Sequence, residues 1–249
     1  MFFRGGGEAL LTILGYSLIA GLATSLGAIV VLFWGRPERR GMALFLGMAA
    51  GVMLAVVGLD LLPSALAWGG GRDIILGFSL GGCLLWGMDR LLSFSFQRSL
   101  HPNLLYRHLG FLIALGISIH DLPEGMAIAL GYTAAQQLGP LIALAIGIHN
   151  IPEGMAIAAP LSMGGLETFK IILITLLVSI ITPIGTALGM VMTYIAPGYF
   201  AFLLALAAGC MLYLVFFELI PEARMHHRPL AVWGLILGFS VIVLTNLAM

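Results

Sequence analysis

The chain alternates between long apolar stretches and short polar connections. Eight stretches approach the ~20 residues that a helix needs to cross a bilayer. Their predicted bounds are 9–33, 42–62, 74–92, 109–131, 138–160, 169–194, 199–221 and 230–248. The longest connection, 93–108, is too short for a soluble domain, so we expect one transmembrane domain over residues 1–249.

Two of these stretches carry the same polar motif. Residues 117–130 and 146–159 are identical at ten of fourteen positions. Each copy has a His four residues before a Glu, which places both side chains on one face of a helix. Each copy also has a Pro directly before the Glu, which removes a backbone hydrogen bond and is expected to bend the helix. Both histidines fall at the middle of their predicted spans.

A second repeat relates the second span to the seventh. Residues 49–65 match residues 207–223 at nine of seventeen positions, and Asp60 falls opposite Glu218. Both repeats relate spans that cross in opposite directions, which is the pattern of an inverted repeat. Secondary transporters are often built in this way and hold their substrate near the midplane.

Composition restricts the class of protein. Apolar residues make up 61% of the chain and charged residues only 9%, against about 25% charged in soluble proteins. We therefore expect an all-α integral membrane protein of the cell (inner) membrane. Eleven basic and eleven acidic residues give no net charge, so no nucleic-acid partner is expected. Cys83 and Cys210 lie far apart in apolar runs and are predicted to be small core residues.

Basic residues predict the orientation. With eight spans both termini share one side, and that side carries only Arg4 and Arg72. The other side carries nine basic residues: Arg36, Arg39, Arg40, Arg90, Arg98, Arg107, Lys170, Arg224 and Arg228. Since cytoplasmic loops are enriched in Lys and Arg, both termini should lie on the non-cytoplasmic side.

Five carboxylates lie inside the predicted spans: Asp60, Asp121, Glu124, Glu153 and Glu218. A charged group near the bilayer centre costs roughly 3 kcal/mol. The fourth and fifth spans contain no Lys or Arg, so their two histidines cannot neutralise all of the carboxylates there. Protons, water or a bound cation must offset the remaining charge.

A divalent metal fits the polar groups of the two motifs. Two imidazoles and two carboxylates suit zinc or iron(II), and also manganese or cadmium. A lone intramembrane His is more often a hydrogen-bonded packing residue, but two copies at equal depth favour a ligand cluster. The predicted ligands are His120, Glu124, His149 and Glu153. Their neighbours Asp121 and Asn150 either bind metal or orient the ligands.

The ends of an ion path are also predicted. Asp60 lies near the outer end of its span and should gather cations there. Four residues near the inner end should receive them: Glu218, Glu222, His226 and His227. The segment from Glu222 to His227 could equally be an ordinary solvated connection.

Two other functions compete with metal transport. A proton-coupled carrier of another solute could use the same carboxylates as a proton relay. An intramembrane zinc hydrolase would use His-Glu-x-x-His, with a general base beside a ligand and one open metal position. Here the neighbouring residues are Asp121 and Asn150, and four protein ligands are available. We therefore expect no enzymatic activity and no catalytic cofactor.

The two Pro-Glu-Gly motifs, at 120–125 and 149–154, resemble the signature of the ZIP family of divalent-metal transporters, particularly its bacterial branch. The sequences LDLLPSA at 59–65 and FELIPEA at 217–223 are similar to that family's second and seventh spans. The resemblance covers essentially the whole chain. It implies eight helices in a three-two-three arrangement, uptake into the cytoplasm, a site between the fourth and fifth helices, and a homodimer.

The resemblance also implies roles for the site residues. His120, Glu124, His149 and Glu153 correspond to the primary ligands, while Asp121 and Asn150 belong to an adjoining second site. Some relatives have a Glu before the Pro-x-Gly of the sixth span, where this chain has Thr182. The long His-rich cytoplasmic loop of many relatives is absent from the sequence.

Overall fold

The computed structural model describes residues 6–33, 35, 37–96 and 102–248. All regular structure in these ranges is helical, because a chain in lipid must satisfy its backbone hydrogen bonds internally. The helices are α1 (Gly6–Phe33), α2 (Arg39–Val56), α3 (Leu62–Trp68), α4 (Gly71–Phe96), α5 (Pro102–Ala134), α6 (Leu138–Met163), α7 (Thr168–Ser179), α8 (Ile181–Ile195), α9 (Phe200–Tyr213) and α10 (Ile220–Ala248). Arg4, Arg36 and Arg98, which helped to predict the orientation, lie outside the described residues.

Seven helical stretches of the described chain are long and apolar enough to span a membrane. Six overlap the first six predicted spans. The predicted spans 199–221 and 230–248 lie together on one stretch of 49 residues, Phe200–Ala248. A straight helix of that length would measure about 74 Å, more than twice the ~30 Å hydrocarbon core. It is not straight, because the backbone leaves helical geometry at His227, where φ is −162° and ψ is 94°.

The predicted connection at 93–108 was too long, although its start agrees with the end of the candidate span Gly71–Leu92. Helix α4 continues to Phe96 and α5 begins at Pro102, and residues 97–101 between them lie outside the described part. Arg107 belongs to the first turns of α5. Its guanidinium donates to the carbonyls of Gly164 and Gly165, at 2.8 and 3.1 Å, beyond the end of α6. This anchorage stabilises extra helical turns that the polar sequence did not predict.

One cysteine prediction was also wrong. Cys210 is a buried core residue, as expected, with its Sγ 3.4 Å from the Gly81 carbonyl oxygen. Cys83, however, is exposed on α4, whose apolar residues mostly face outward. An apolar run in a membrane protein does not reveal which of its faces meets lipid and which meets protein.

The second repeat is marked by two π-helical turns. Val57–Leu61 joins α2 to α3, and Leu214–Leu219 joins α9 to α10. Pro63 and Pro221 follow these turns at equivalent positions of the repeat. Because proline lacks an N–H, each one removes a hydrogen bond to the carbonyl four residues earlier, which favours a wider turn. Asp60 and Glu218 both lie on these turns, and π-turns within helices are frequent at functional sites.

Glycine contacts divide the helices into two groups. In the site group, α1 packs against α6, and α5 packs against α8; in the frame group, α2 packs against α10, and α4 against α9. A Cβ built on the interface glycines would lie only 1.8–2.2 Å from a carbonyl oxygen of the facing helix, so only glycine fits there. The glycine–carbonyl pairs are Gly27–Ile151, Gly154–Thr24, Gly125–Thr182 and Gly185–Leu122 in the site group, and Gly51–Leu235, Gly238–Met48, Gly209–Phe78 and Gly81–Leu206 in the frame group.

In these contacts the motif glycines Gly125 and Gly154 and the repeat glycines Gly51 and Gly209 permit close helix approach. Among the described residues, the eight contacts named above each stay within one group, and a ninth of this length, Gly21–Ser179, joins α1 of the site group to α7. The contacts also occur in equivalent pairs. Gly27 and Gly185 are related by the same shift in sequence that relates 49–65 to 207–223, and so are Thr24 and Thr182. Each group of helices is therefore closely packed internally.

Adding a methyl group at such a glycine should destabilise the protein. In Gly238→Ala, the new Cβ would lie 2.0 Å from the Met48 carbonyl oxygen, so α2 and α10 must separate. We expect the free energy of unfolding to fall by about 1–3 kcal/mol, as for other overpacked interiors. The measurement is unfolding of the purified protein in detergent.

Gly87→Ala is the matched control, because no described atom lies within 4 Å of its Cβ position. Alanine at an unobstructed helical position should be neutral or raise the unfolding free energy by up to about 1 kcal/mol. Equal effects of the two substitutions would contradict the close-contact explanation.

Candidate metal site

The two polar motifs meet between α5 and α6. Both helices continue through the motif prolines, Pro123 and Pro152. Gly125 and Gly154, which follow the two glutamates, pack against α8 and α1. Each Glu can therefore face the opposite motif. All six polar residues of the motifs are at most 4% exposed: His120, Asp121, Glu124, His149, Asn150 and Glu153.

The histidines and glutamates form two crosswise pairs. His120 Nε2 lies 3.3 Å from Glu153 Oε1, and His149 Nε2 lies 3.0 Å from Glu124 Oε2. Each imidazole therefore contacts the carboxylate of the other helix rather than that of its own motif. The pairs occupy equivalent positions of the repeat, which makes the centre of the site nearly symmetric.

Asp121 lies beside one of these pairs. His120, Asp121 and Glu153 each offer one ligand atom, and these three atoms all lie within 4.8 Å of one another. The Asp121 Oδ1 atom is 3.7 Å from His120 Nε2. Nitrogen and carboxylate ligands stand about 2.0–2.2 Å from zinc, so ligand atoms at this separation can share one ion.

Asn150 occupies the position equivalent to Asp121 but has a hydrogen-bond partner. Its Nδ2 donates to the Ala20 carbonyl oxygen of α1 at 3.0 Å. This bond ties α6 to α1 and fixes the amide, so that Oδ1 is the atom left to accept. The structure thus brings all six predicted residues into one region, but Asp121 and Asn150 have different surroundings.

Many polar atoms in this region are buried without a hydrogen-bond partner among the described residues. They are Thr24 Oγ1, His120 Nδ1, both Asp121 carboxylate oxygens, Glu124 Oε1, Asn150 Oδ1, Glu153 Oε2 and Thr182 Oγ1. A buried unsatisfied group typically costs about 1–3 kcal/mol, and more when charged. Most of these atoms are oxygens that can accept hydrogen bonds or bind cations, so the region favours positively charged occupants.

Thr24 was not predicted as a site residue. The signal in the sequence is Thr24-x-x-Gly27, which equals Thr182-x-x-Gly185 at the shift of the second repeat. Both threonines are fully buried, and their carbonyl oxygens contact the glycines of the two Pro-Glu-Gly motifs.

A cavity of about 480 Å³ connects Asp60 with the motifs. Asp60, Glu124, His149 and Asn246 are among the residues that line it. Asn246 Nδ2 donates to Asp60 Oδ1 at 2.8 Å, which holds the carboxylate at the cavity wall. Asn246 was not predicted, because it lies near the end of α10 outside any motif.

A second cavity, of about 340 Å³, lies on the side that carries most basic residues. Glu218 and Glu222 line it together with Tyr106 and His108 of α5, which were not predicted. His226 lies beside it, with Nε2 3.1 Å from Glu222 Oε1.

His227 lies apart from these residues. It stands at the kink of α10, where its Nδ1 accepts a hydrogen bond from the Leu230 N–H at 3.2 Å. In this conformation its described contact stabilises the kink and does not involve the second cavity.

Comparisons with known proteins agree with these motifs. A family model described as "ZIP Zinc transporter" matches residues 98–246, which include both motifs. The protein named zinc transporter ZupT of Chlorobium phaeovibrioides is 34% identical over 93% of this chain and 95% of its own length. ZupT of an Escherichia coli O7:K1 strain is 33% identical over 90% and 92%, respectively. The chain therefore belongs to the ZIP family, in its bacterial branch.

Proposed function

We propose that this protein moves zinc, or a related divalent transition metal, into the cytoplasm. The observation that carries the proposal is the crosswise pairing of His120 with Glu153 and of His149 with Glu124 in a fully buried layer. One ion placed between the pairs would bind donors from both motifs at once. Iron(II), manganese and cadmium accept the same nitrogen and oxygen donors. Both relatives are named as zinc transporters, which favours zinc.

Eight membrane crossings in an inverted repeat fit the helix contacts. The kink at His227 divides Phe200–Ala248 into two segments that can each cross the bilayer. Exchanging α1 with α7–α8, α2 with α9, α4 with the second segment of α10, and α5 with α6 maps the eight glycine contacts named within the site and frame groups onto one another. This correspondence supports a three-two-three arrangement with the metal site at its centre.

The two helix groups support a mechanism of alternating access. The outer cavity reaches Glu124 and His149, whereas no predicted ligand lines the inner cavity among the described residues. The conformation therefore resembles one that is open toward the side of Asp60. Because α5 and α6 are joined to α8 and α1 by glycine contacts, we propose that the whole site group moves against the frame group.

The path runs from Asp60 to the acidic inner end. We infer that Asp60, held by Asn246, attracts cations at the outer mouth, and that Glu218, Glu222 and His226 receive them inside. The excess of basic residues supports a cytoplasmic location for the inner end. Homodimer formation and a role for His227 in ion release stay predictions from the sequence.

The transport proposal can be tested with purified protein in sealed liposomes. Zinc, iron(II), manganese and cadmium are each added outside, and their entry is measured. The transported ion should also protect the protein from thermal unfolding, by about 2.7 kcal/mol at a hundredfold excess over its Kd. A carrier of another solute would neither accumulate these ions nor be protected by any of them.

Replacing the shared carboxylates should abolish transport. Glu124→Ala and Glu153→Ala each remove a charged ligand and leave a buried His without its partner. Asp121→Ala and Asn150→Ala should retain part of the activity, with losses of about 10–100-fold, because they alter neighbours of the ligands. The measurement is initial uptake rate in liposomes, with exposed Glu167→Ala as the control. Uptake at the wild-type rate in Glu124→Ala would refute the site.

Neutralising the outer carboxylate should change apparent affinity rather than maximal rate. Asp60→Asn removes negative charge from the cavity mouth, so the KM for metal should rise with little change in kcat. The increase should be larger at low ionic strength, where charges are less screened. Asp73→Asn is the control, because Asp73 is exposed near the same end but does not line the cavity. An unchanged KM in Asp60→Asn would leave Asp60 as a packing residue.

The wild type should hold one tightly bound divalent metal per chain. Asp121, Glu124 and Glu153 supply −3, whereas two divalent ions carry +4, and ligating imidazoles are neutral. Thr182 adds no negative charge to the −3 of the three carboxylates. Thr182→Glu would add one, and it would lie close to the site because α8 contacts α5 at Gly125. Metal counting by mass spectrometry should give one ion in the wild type and more in Thr182→Glu. Two chelator-resistant ions in the wild type would contradict this prediction.

A further inference from the structure

Gly116 forms a close contact between the site group and the frame group. A Cβ built on this residue of α5 would lie 2.4 Å from Cδ1 of Leu214, on the π-helical turn that joins α9 to α10. The carbonyl contacts described above join backbone to backbone, whereas this contact joins backbone to a flexible side chain. Leu214 is fully buried and occupies the space that the glycine leaves. It can leave that space without displacing the backbone contacts within either group.

This contact lies between the metal site and the inner cavity. Gly116 precedes His120 by four residues on α5, so both lie on one face of the helix. On α5 the inner cavity extends to Leu109, and the outer cavity begins at Glu124, about 22 Å farther along the helix. Gly116 lies halfway between these two residues, and neither Gly116 nor Leu214 lines either cavity. The contact is therefore part of a closed layer.

The closed layer is apolar. Leu214 belongs to the main hydrophobic core of the described residues. It precedes Glu218, which lines the inner cavity, by four residues. Leu214 therefore separates His120 on the side of the metal site from Glu218 on the inner side. A charged ion enters an apolar layer only at a large cost in free energy, so this layer blocks the path while it is closed.

Two further contacts hold the inner end of α5 against the frame group. The rings of Tyr106 and His226 of α10 are stacked, with centroids 5.8 Å apart. His108 Nε2 lies 3.8 Å from Asp89 Oδ1 of α4. Both contacts agree with an inner side that is closed in this conformation.

The inverted repeat supplies equivalent positions on the outer side. The shift of the second repeat places Val56 opposite Leu214, and the shift between the two motifs places Ala145 opposite Gly116. Val56 and Ala145 both line the outer cavity. The pair that is in contact on the inner side thus corresponds to a pair that borders open space on the outer side.

Other residues near the two pairs follow the same rule. Three more residues of α6 line the outer cavity: Leu141, Ile142 and Ile146. Their equivalents on α5 are all fully buried: Leu112, Ile113 and Ile117. One half of the repeat is therefore open where the other half is closed, as expected of a carrier whose two halves exchange conformations.

The two pairs also have compensating sizes. On the inner side the larger residue is leucine and its partner is glycine. On the outer side valine is one carbon smaller than leucine, and alanine is one carbon larger than glycine. Both pairs would therefore fill the same volume in contact, which favours the same role for each at its own end.

We propose that Leu214, packed against Gly116, is the inner gate of the ion path. When the site group moves, Leu214 leaves Gly116 and the metal site opens toward Glu218, while Val56 approaches Ala145. The gate rests on the proposed function, because it assumes that the site group moves against the frame group.

The first test measures access to the closed layer in purified protein in detergent, without added metal. Ile113→Cys and Ile142→Cys are made separately, after the native Cys83 and Cys210 are replaced. A charged, water-soluble thiol reagent should modify Ile142→Cys quickly and Ile113→Cys slowly. Detergent exposes both ends of the protein, so the result depends neither on membrane orientation nor on transport. Equal rates at the two equivalent positions would overturn the proposal.

Gate variants should open the layer. Gly116→Ala places a methyl group in the space of Leu214, and Leu214→Ala removes the side chain that closes the path. Each should speed modification of Ile113→Cys by about tenfold or more, as expected for misfitted core contacts. Gly110→Ala is the matched control, because its Cβ would lie 2.6 Å from the Leu161 side chain within the site group. An unchanged rate in both gate variants, or an equal increase in the control, would overturn the proposal.

A double variant distinguishes gating from a general loss of packing. Gly116→Ala combined with Leu214→Val reproduces the sizes of the outer pair. Modification of Ile113→Cys should then return toward the slow rate of the wild type, because substitutions in direct contact compensate each other. A double variant that is modified as fast as Gly116→Ala alone would overturn the proposal.

Zinc uptake in liposomes separates the gate from the proposed function. Uptake should be lost in Gly116→Ala, because the conformation that receives the ion from outside is less populated, and it should recover in the double variant. If the wild type moves no divalent metal but the cysteine rates change as expected, the proposed function fails and the gate stands. If the wild type transports zinc and the rates do not change, the gate fails and the function stands.

Discussion

The structure depends on compensating three carboxylates buried between α5 and α6. Asp121, Glu124 and Glu153 are at most 2% exposed, and each retains at least one oxygen without a hydrogen-bond partner among the described residues. Lipid offers no water to solvate them, so they persist only if cations or protons occupy the region. The crosswise contacts with His120 and His149 satisfy part of this need. A metal that binds here would replace the contacts between the carboxylates and the imidazoles. Because the carboxylates are already buried, its binding would not require further charge to be buried.

Holding these groups together requires helices that approach very closely. Gly125 and Gly154 let α5 and α6 contact carbonyls of α8 and α1, directly after Glu124 and Glu153. A ligand set that must bind and release an ion benefits from such rigid supports, because small displacements of a ligand weaken coordination. The glycine contacts also decide which helices can move together. Motion between the site group and the frame group disturbs none of these contacts.

The amino-acid sequence predicted those features of the architecture that occur in repeated segments. The duplicated motifs predicted that the His and Glu residues lie together, because a repeated motif is a property of local sequence pattern. It could not identify Thr24, since its lack of a partner depends on Asn150 reaching Ala20 from another helix. Asn246 was missed because its contact with Asp60 joins distant parts of the chain. The kink at His227 and the outward face of Cys83 likewise depend on tertiary packing.

The site is nearly symmetric, and Asp121 and Asn150 occupy the one equivalent position at which the two motifs differ in charge. Aspartate in both copies would supply four carboxylates, enough to balance two divalent ions. With Asp121 in one copy and Asn150 in the other, the scaffold keeps its shape while its charge falls to −3. The amide also gains a donor, which holds α6 to α1 through Ala20 and leaves the Thr24 hydroxyl without its usual acceptor. A single exchange of carboxylate for amide thus lowers the negative charge of the region and ties α6 to α1 at the same position.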